Sequence, residues 1–325
     1  MTSSQAPDAT TVAVGLGGIQ ARRRRSTWAR LARASTPYLL LLPVAVVIGA
    51  VLVYPLYKVV TLSFQQYGLA ELIQRKGTWV GFANYESVLR DSIFWDTLLR
   101  TVIFTVANVG LTIVLGTLIA LLLVQVSTWV RVLLSTGLVL VWSMPAVVAV
   151  QVFYWMTNFE NGVLNYVFAQ VGLTAEQHDW YATTFSKLAM VTLLIVWGAL
   201  PFVAIAVYAA LAQVPRELVE AAEIDGAGPF QVFRDVTFPI LKPILLILTS
   251  LSIIWDFAVF TQPYLLIGPA ALDTTNYLMG VYVFLEGYSK SDYGRGAAIS
   301  LLMLLIVAAM SVVYVRRMVK AEGVT

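Results

Sequence analysis

Residues 215–243 read PRELVEAAEIDGAGPFQVFRDVTFPILKP, a polar stretch set between runs apolar enough to span a membrane. Pro215 suits the first position of a helix, where a missing N–H does no harm. Arg216, Glu217, Glu220 and Glu223 fill the next two turns, and Gly226 falls where a left-handed residue would stop the helix. Pro229 can open a second short helix with Phe230, Phe233 and Val236 on one face, and Pro239 is expected to end it as apolar sequence resumes. Two short helices meeting at a glycine form a compact knuckle that can transmit a push, as an extended hydrophilic loop could not. Such an element is expected to touch another protein; the bland reading is an amphipathic loop lying on lipid headgroups.

The rest of the chain explains why the knuckle stands out. Of 325 residues, 59% are hydrophobic and only 12% charged, with mean hydropathy +0.80, whereas about a quarter of an average soluble domain is charged. This is the composition of a membrane protein. The net charge of +3 does not point to nucleic acid, because the basic residues gather at segment ends and in the N-terminal arm. Cysteine is absent, which excludes disulfides, thiolate catalysis and Cys-ligated metals, and the single histidine, His178, cannot build a His-based metal site alone. No phosphate-binding Walker string, paired catalytic carboxylates or Ser/His/Asp set occurs, so no catalytic residue, metal or cofactor is assigned to this chain. Any pumping must draw on an ion gradient or on a separate ATPase.

The expected fold class is an all-α integral membrane protein with six transmembrane helices. Residues 1–35, with arginines at 22–25, read as a disordered basic cytoplasmic arm, 36–320 as the six-span domain and 321–325 as a tail. The spans are placed at Tyr38–Val60, Leu98–Val126, Val130–Met156, Lys187–Ala212, Ile240–Leu266 and Gly296–Val315, with the loop 213–239 between the fourth and fifth. Tyr38–Val60 is too long for a signal peptide core and reads as an uncleaved first span. Thr61–Leu99, Thr157–Ser186 and Gly268–Arg295 are expected outside, the second of these carrying Glu160, Glu176 and Asp179. This places thirteen Lys and Arg on the side of the termini and the loop against seven opposite, so both termini and the loop should be cytoplasmic and the protein multi-pass in the cell membrane. No internal repeat is visible.

A charge inside a span is costly and therefore informative. Asp256 lies about 17 residues into span five by this reading, with Ser252 on the same face one turn earlier and Trp255 beside it. A carboxylate, a hydroxyl and aromatic rings are what a pyranose needs: acceptors for its hydroxyls and flat surfaces for its C–H faces. In span four, Pro201 frees a backbone carbonyl, and Gly198 and Ala199 let a ligand or a second helix approach. The competing readings are structural. Phe202 and Trp197 would be packing aromatics, Gly198 and Ala199 a helix contact, Ser252 a bond to its own backbone, and Asp256 a partner for Lys58, the one cation near a membrane interior. Tyr154, Trp155 and Asn158 are further candidates for the pathway.

The loop spacing is specific: Glu220-Ala221-Ala222, three residues, Gly226, nine residues, then Val236-Thr237-Phe238-Pro239. It closely resembles the EAA loop of importer permeases of the ATP-binding-cassette (ABC) class. The segments VGFANYESVLRDSIFW (80–95), NFENGVLNYVFAQVGL (158–173) and Tyr293–Ser300 also resemble sugar permeases of that class. The resemblance implies that Glu220, Ala221, Ala222, Asp225, Gly226, Phe233 and Pro239 seat against an ATPase subunit. It implies sugar contacts at Gly198, Ala199, Phe202, Ser252 and Asp256, as in maltose-type permeases. The partners implied are a second permease in a heterodimeric channel, an ATPase dimer that carries ATP and Mg, and an external sugar-binding protein. The family's T-G-G-G-P string is replaced by Ile267-Gly268-Pro269-Ala270-Ala271, which weakens inference about which sugar. Alternatives are an ion-coupled secondary transporter using Asp256, or an importer of polyol or glycerol phosphate, which would want Arg or Lys deep in spans four and five. A membrane enzyme or scaffold is disfavoured by the lack of catalytic clusters.

Overall fold

The computed structural model describes residues 40–172, 178–268 and 273–321, with side chains to residue 316. The arm at 1–35, Glu176, the substituted string beyond Gly268 and the tail after Ala321 lie outside the described residues. The chain divides into two units, Met1–Val59 and Val60–Thr325. Among the described residues five helices are long and apolar enough to cross a bilayer, six if a bent helix pair counts as one span.

In the first unit begins helix α1 (Leu40–Ser63), whose most apolar window has no buried residue. Gly49–Val53 forms a π turn, in which the Tyr54 N–H reaches back to the Gly49 carbonyl just before Pro55. A proline ring clashes with the carbonyl four residues earlier, and a widened turn relieves that clash.

The second unit opens on a two-stranded hairpin, β1 (Gln65–Gln66) and β2 (Thr78–Trp79), paired antiparallel with Gln65 opposite Trp79. Short helices α2 (Leu69–Gln74) and α3 (Ala83–Leu89) precede α4 (Ser92–Gln125). Asp91 caps α4, accepting from the Ile93 N–H at 2.9 Å. Its 34 residues span about 50 Å against a hydrocarbon core of about 30 Å, so α4 projects beyond the bilayer.

The single span expected at Val130–Met156 is broken. Helices α5 (Thr128–Trp142) and α6 (Ala146–Met156) meet at 100°. Pro145 has no N–H to continue the ladder and pushes Met144 away from helical geometry, so the chain turns there. Next come α7 (Val163–Gln170) and α8 (Thr184–Leu211), the latter opened by a reciprocal cap between Thr183 and Ser186.

The loop helix is α9 (Arg216–Ile224), with Pro215 as its N-cap rather than its first helical residue. Gly226 has φ +83°, and the Gly226 and Ala227 N–H groups bond back to the carbonyls of Glu223 and Ala222, a complete Schellman stop. The second loop helix does not end at Pro239. It runs on as one helix, α10 (Pro229–Phe257), through a π turn at Phe233–Thr237 in which the Phe238 N–H reaches the Phe233 carbonyl. The extra residue in that turn accommodates Pro239, as at Pro55. The span expected to reach Leu266 stops at Phe257, and α11 (Thr261–Ile267) follows after a break. Then come α12 (Met279–Phe284), a π turn at Leu285–Ser289, and α13 (Tyr293–Ala321).

Helix α4 packs most extensively on α8. Its packing face includes a polar series, Thr97, Thr101, Thr105, Asn108 and Thr112, all essentially fully buried. Asn108 donates to Thr192 of α8 at 3.3 Å, and Thr101 accepts from the Met279 N–H at 2.9 Å. Small hydroxylated side chains bring membrane helices close and tie them by hydrogen bonds. Beside the loop, Ala120, Val203, Val207, Leu241, Leu245 and Leu248 join α4, α8 and α10 in one core.

At the opposite end, an ionic clamp ties α4 to α12 and α13. Arg295 pairs with Asp91 at 2.5 Å and lies 3.2 Å from Glu286, which also pairs with Lys290 at 2.6 Å. The Tyr282 hydroxyl donates to Asp91 and accepts from Arg295 at 3.4 Å. Burial pushes its phenol up to about 12, so it remains a donor. Arg295→Ala is expected to leave Asp91 without a cation and Glu286 with Lys290 alone, and to destabilise the fold by about 3 kcal/mol. The check is thermal unfolding in detergent; an unchanged midpoint would mean the clamp carries no stability.

Candidate translocation cavity and coupling surface

A cavity of about 440 Å³ opens between α5, α6, α8 and the α10–α11 break. Its lining includes Gly198, Ala199, Phe202 and Asp256, four of the five residues singled out for the solute pathway. Pro201 lies inside α8 and leaves the Trp197 carbonyl without its helical donor, in the turn that faces the cavity. The fifth residue, Ser252, is buried one turn below and is not part of the lining. Tyr154, Trp155 and Asn158 are not part of it either.

Asp256 is the penultimate residue of α10 rather than a mid-span group. A carboxylate there meets the negative end of the helix dipole, and among the described residues no ion pair includes it. Beside it the Phe202 ring stacks on Trp142 at 6.0 Å and lies 5.7 Å from Trp255. Trp142 enters because the chain bends at Pro145, which sequence reasoning did not anticipate. Thr261 and Gln262 add further polar groups from α11.

The loop end carries a second cavity, of about 580 Å³, between α9 and the ends of α4 and α8. Glu220 and Glu223 line it with Arg216, Arg131 and Tyr208. The outer side of the knuckle is bare: Leu218 is 50%, Phe230 72% and Ile224 85% exposed. Ala221, Asp225, Gly226 and Pro239 are exposed, Ala222 is half-buried, and Phe233 is half-buried against the core beside the loop. Arg131, read from sequence only as a topology charge, donates to the carbonyls of Leu123 at 2.7 Å, Val124 at 3.2 Å and Val126 at 3.0 Å. Its guanidinium lies over the Tyr208 ring at 5.7 Å. It therefore closes the end of α4 and fixes it to α8, as a cation at a helix C-terminus should.

Broken spans around a solute-sized cavity, with a compact helical knuckle at one end of the bundle, define a membrane transport subunit. Residues 112–318 match the family described as the binding-protein-dependent transport system inner membrane component, and the chain belongs to that family. The chain is 42% identical over 309 residues to the diacetylchitobiose uptake system permease protein DasB of Streptomyces coelicolor, covering 95% of this chain and 92% of that one. It is 30% identical over 285 residues to the trehalose/maltose transport system permease protein MalF of Thermococcus litoralis, covering 87% and 93%. Its fold is similar to a chain in the crystal structure of a bacterial ABC transporter that imports the acidic polysaccharide alginate, with TM-score 0.78 and 18% identity over 90% of this chain and 98% of that one.

Asp256→Leu is expected to lower uptake by about 10- to 100-fold, the loss of one hydrogen bond to a charged group, while leaving the thermal midpoint unchanged or higher. Asp256→Asn should retain an intermediate rate. Uptake per membrane-embedded protein, measured beside thermal unfolding, checks both; wild-type uptake by the Leu variant would make Asp256 a structural residue.

Proposed function

We propose that this chain is a permease subunit of a sugar importer fed by an external binding protein. The observation that carries the reading is the run of Trp142, Phe202 and Trp255 beside the Asp256 carboxylate. Flat apolar rings next to an acceptor suit a neutral sugar, whose C–H faces and hydroxyls need one of each. The names of two relatives, one a diacetylchitobiose and the other a trehalose/maltose system, support the same class of cargo. In this reading Gly198, Ala199, Phe202 and Asp256 contact the sugar, and Ser252 supports Asp256 from beneath.

The knuckle is the coupling element, and it faces the cytoplasm together with both termini. Exposed Leu218, Ile224 and Phe230 are apolar groups that an ATPase subunit would cover. ATP and Mg bind to that ATPase dimer, and a second permease completes the channel. Closure of the ATPase pair draws the two permeases' knuckles together and swings the helices from inward-open to outward-open, so the binding protein releases its sugar into the cavity.

The test is reconstitution with the ATPase, second permease and binding protein in vesicles, followed by uptake of labelled diacetylchitobiose and maltose. ATP-dependent uptake of at least one is expected. Glu220→Lys and Gly226→Asp should abolish it while leaving the protein in the membrane; normal transport by both would remove the coupling role. Uptake that persists without ATP would favour an ion-coupled carrier instead.

A further inference from the structure

Phe260 lines the cavity, and its ring begins a series that leads away from it. It stacks on Tyr264 at 5.0 Å and lies 4.8 Å from Phe284, which stacks in turn on Tyr288 at 5.1 Å. Phe284 ends α12 and Tyr288 lies in the following π turn, on the same side of that segment. The other side, with Tyr282, Leu285 and Glu286, is buried and held by the ionic clamp. Phe260, Tyr264 and Phe284 are half-buried, while Tyr288 is 69% exposed. Phe260, Tyr264 and Phe284 each rest one side on the core that includes Phe257, Tyr282 and Leu285 and stay half-buried; the series grades from the bare Tyr288 to the cavity wall at Phe260.

The backbone places the series at the cavity rim. Any Cβ at Gly280 would collide with the carbonyls of Ala258 and Val259, so α12 lies directly against the break between α10 and α11. The break is at the Phe257 end of α10, and the knuckle is at the Pro229 end. The exposed Tyr288 therefore belongs to the end of the bundle away from the ATPase-facing loop.

We propose that Tyr288, Phe284 and Phe260 form an aromatic track that passes a sugar from the outer surface into the cavity. The proposal rests on the sugar-importer reading. Successive rings about 5 Å apart let a sugar leave one apolar face as it meets the next, so no position along the way traps it. The Tyr288 phenol offers a hydrogen bond at the mouth. The sugar's hydroxyls meet stronger polar partners only at Asp256, so binding is tightest at the inner end.

The absence of cysteine from the chain makes a direct test available. Phe284→Cys and Tyr288→Cys are reconstituted with the partner subunits and treated with a charged, membrane-impermeant methanethiosulfonate, with and without ATP and vanadate. Both positions should react in at least one nucleotide state. Phe284→Ala should lower labelled diacetylchitobiose uptake by about tenfold, and Phe284→Trp should restore most of it. No reaction at Phe284→Cys in either state would place that ring against lipid or protein and overturn the track, as would wild-type uptake by the Phe284→Ala, Tyr288→Ala double variant. Should the unmodified complex import neither diacetylchitobiose nor maltose, the cargo assignment fails. The labelling result still decides whether these rings line a water-filled path.

Discussion

An unpaired backbone N–H or C=O facing lipid costs several kcal/mol, so a spanning chain departs from helix only where the departure is buried or opens on water. This protein departs at Ser143–Pro145 and at Ala258–Phe260, and it carries Pro201 inside α8. All three lie at one cavity, whose wall includes Met144, Ala146, Gly198, Ala258 and Phe260. The breaks and the cavity explain each other. Open carbonyls in the walls can be solvated there, and a solute can exchange for that solvent. Asp256 stands at the edge of one break, which eases the burden of a carboxylate that has no ion pair among the described residues.

The loop end follows the opposite rule, because its backbone groups are closed. The Schellman stop at Gly226 satisfies the last carbonyls of α9, and Arg131 satisfies those of α4. The π turn keeps α10 continuous through Pro239. A force applied to α9 thus meets well-bonded elements instead of a yielding coil. Compliance is concentrated at the cavity, where the helices are interrupted.

Much of this arrangement was legible in the residues. Asp256 announced itself as a carboxylate in apolar sequence, Gly198 and Ala199 as gaps before a proline, and Gly226 as a left-handed stop. Hydropathy reports how apolar a stretch is but not its direction, so the 100° bend at Pro145 was invisible, and with it the entry of Trp142. Proline is ambiguous in membranes: Pro145 turns the chain, whereas Pro239 is absorbed by one extra residue in the preceding turn. The early end of α10 coincides with the close approach of Gly280 to the Ala258 and Val259 carbonyls, a contact between distant parts of the chain. The Asp91, Glu286 and Arg295 clamp was missed for the same reason, and so was the seat of Arg131 over Tyr208, whereas its bonds to Leu123, Val124 and Val126 are local and follow from a cation just past the end of a helix.

The continuity of α10 has a mechanical consequence. Phe233 and Asp256 belong to one rod, separated by 23 residues, or about 35 Å at helical rise. A tilt of about 10° around its midpoint would carry the two ends about 3 Å in opposite directions. That is comparable to a hydrogen-bond length, so a modest rocking of one lever arm suffices to make or break a grip on cargo without unfolding anything along its length.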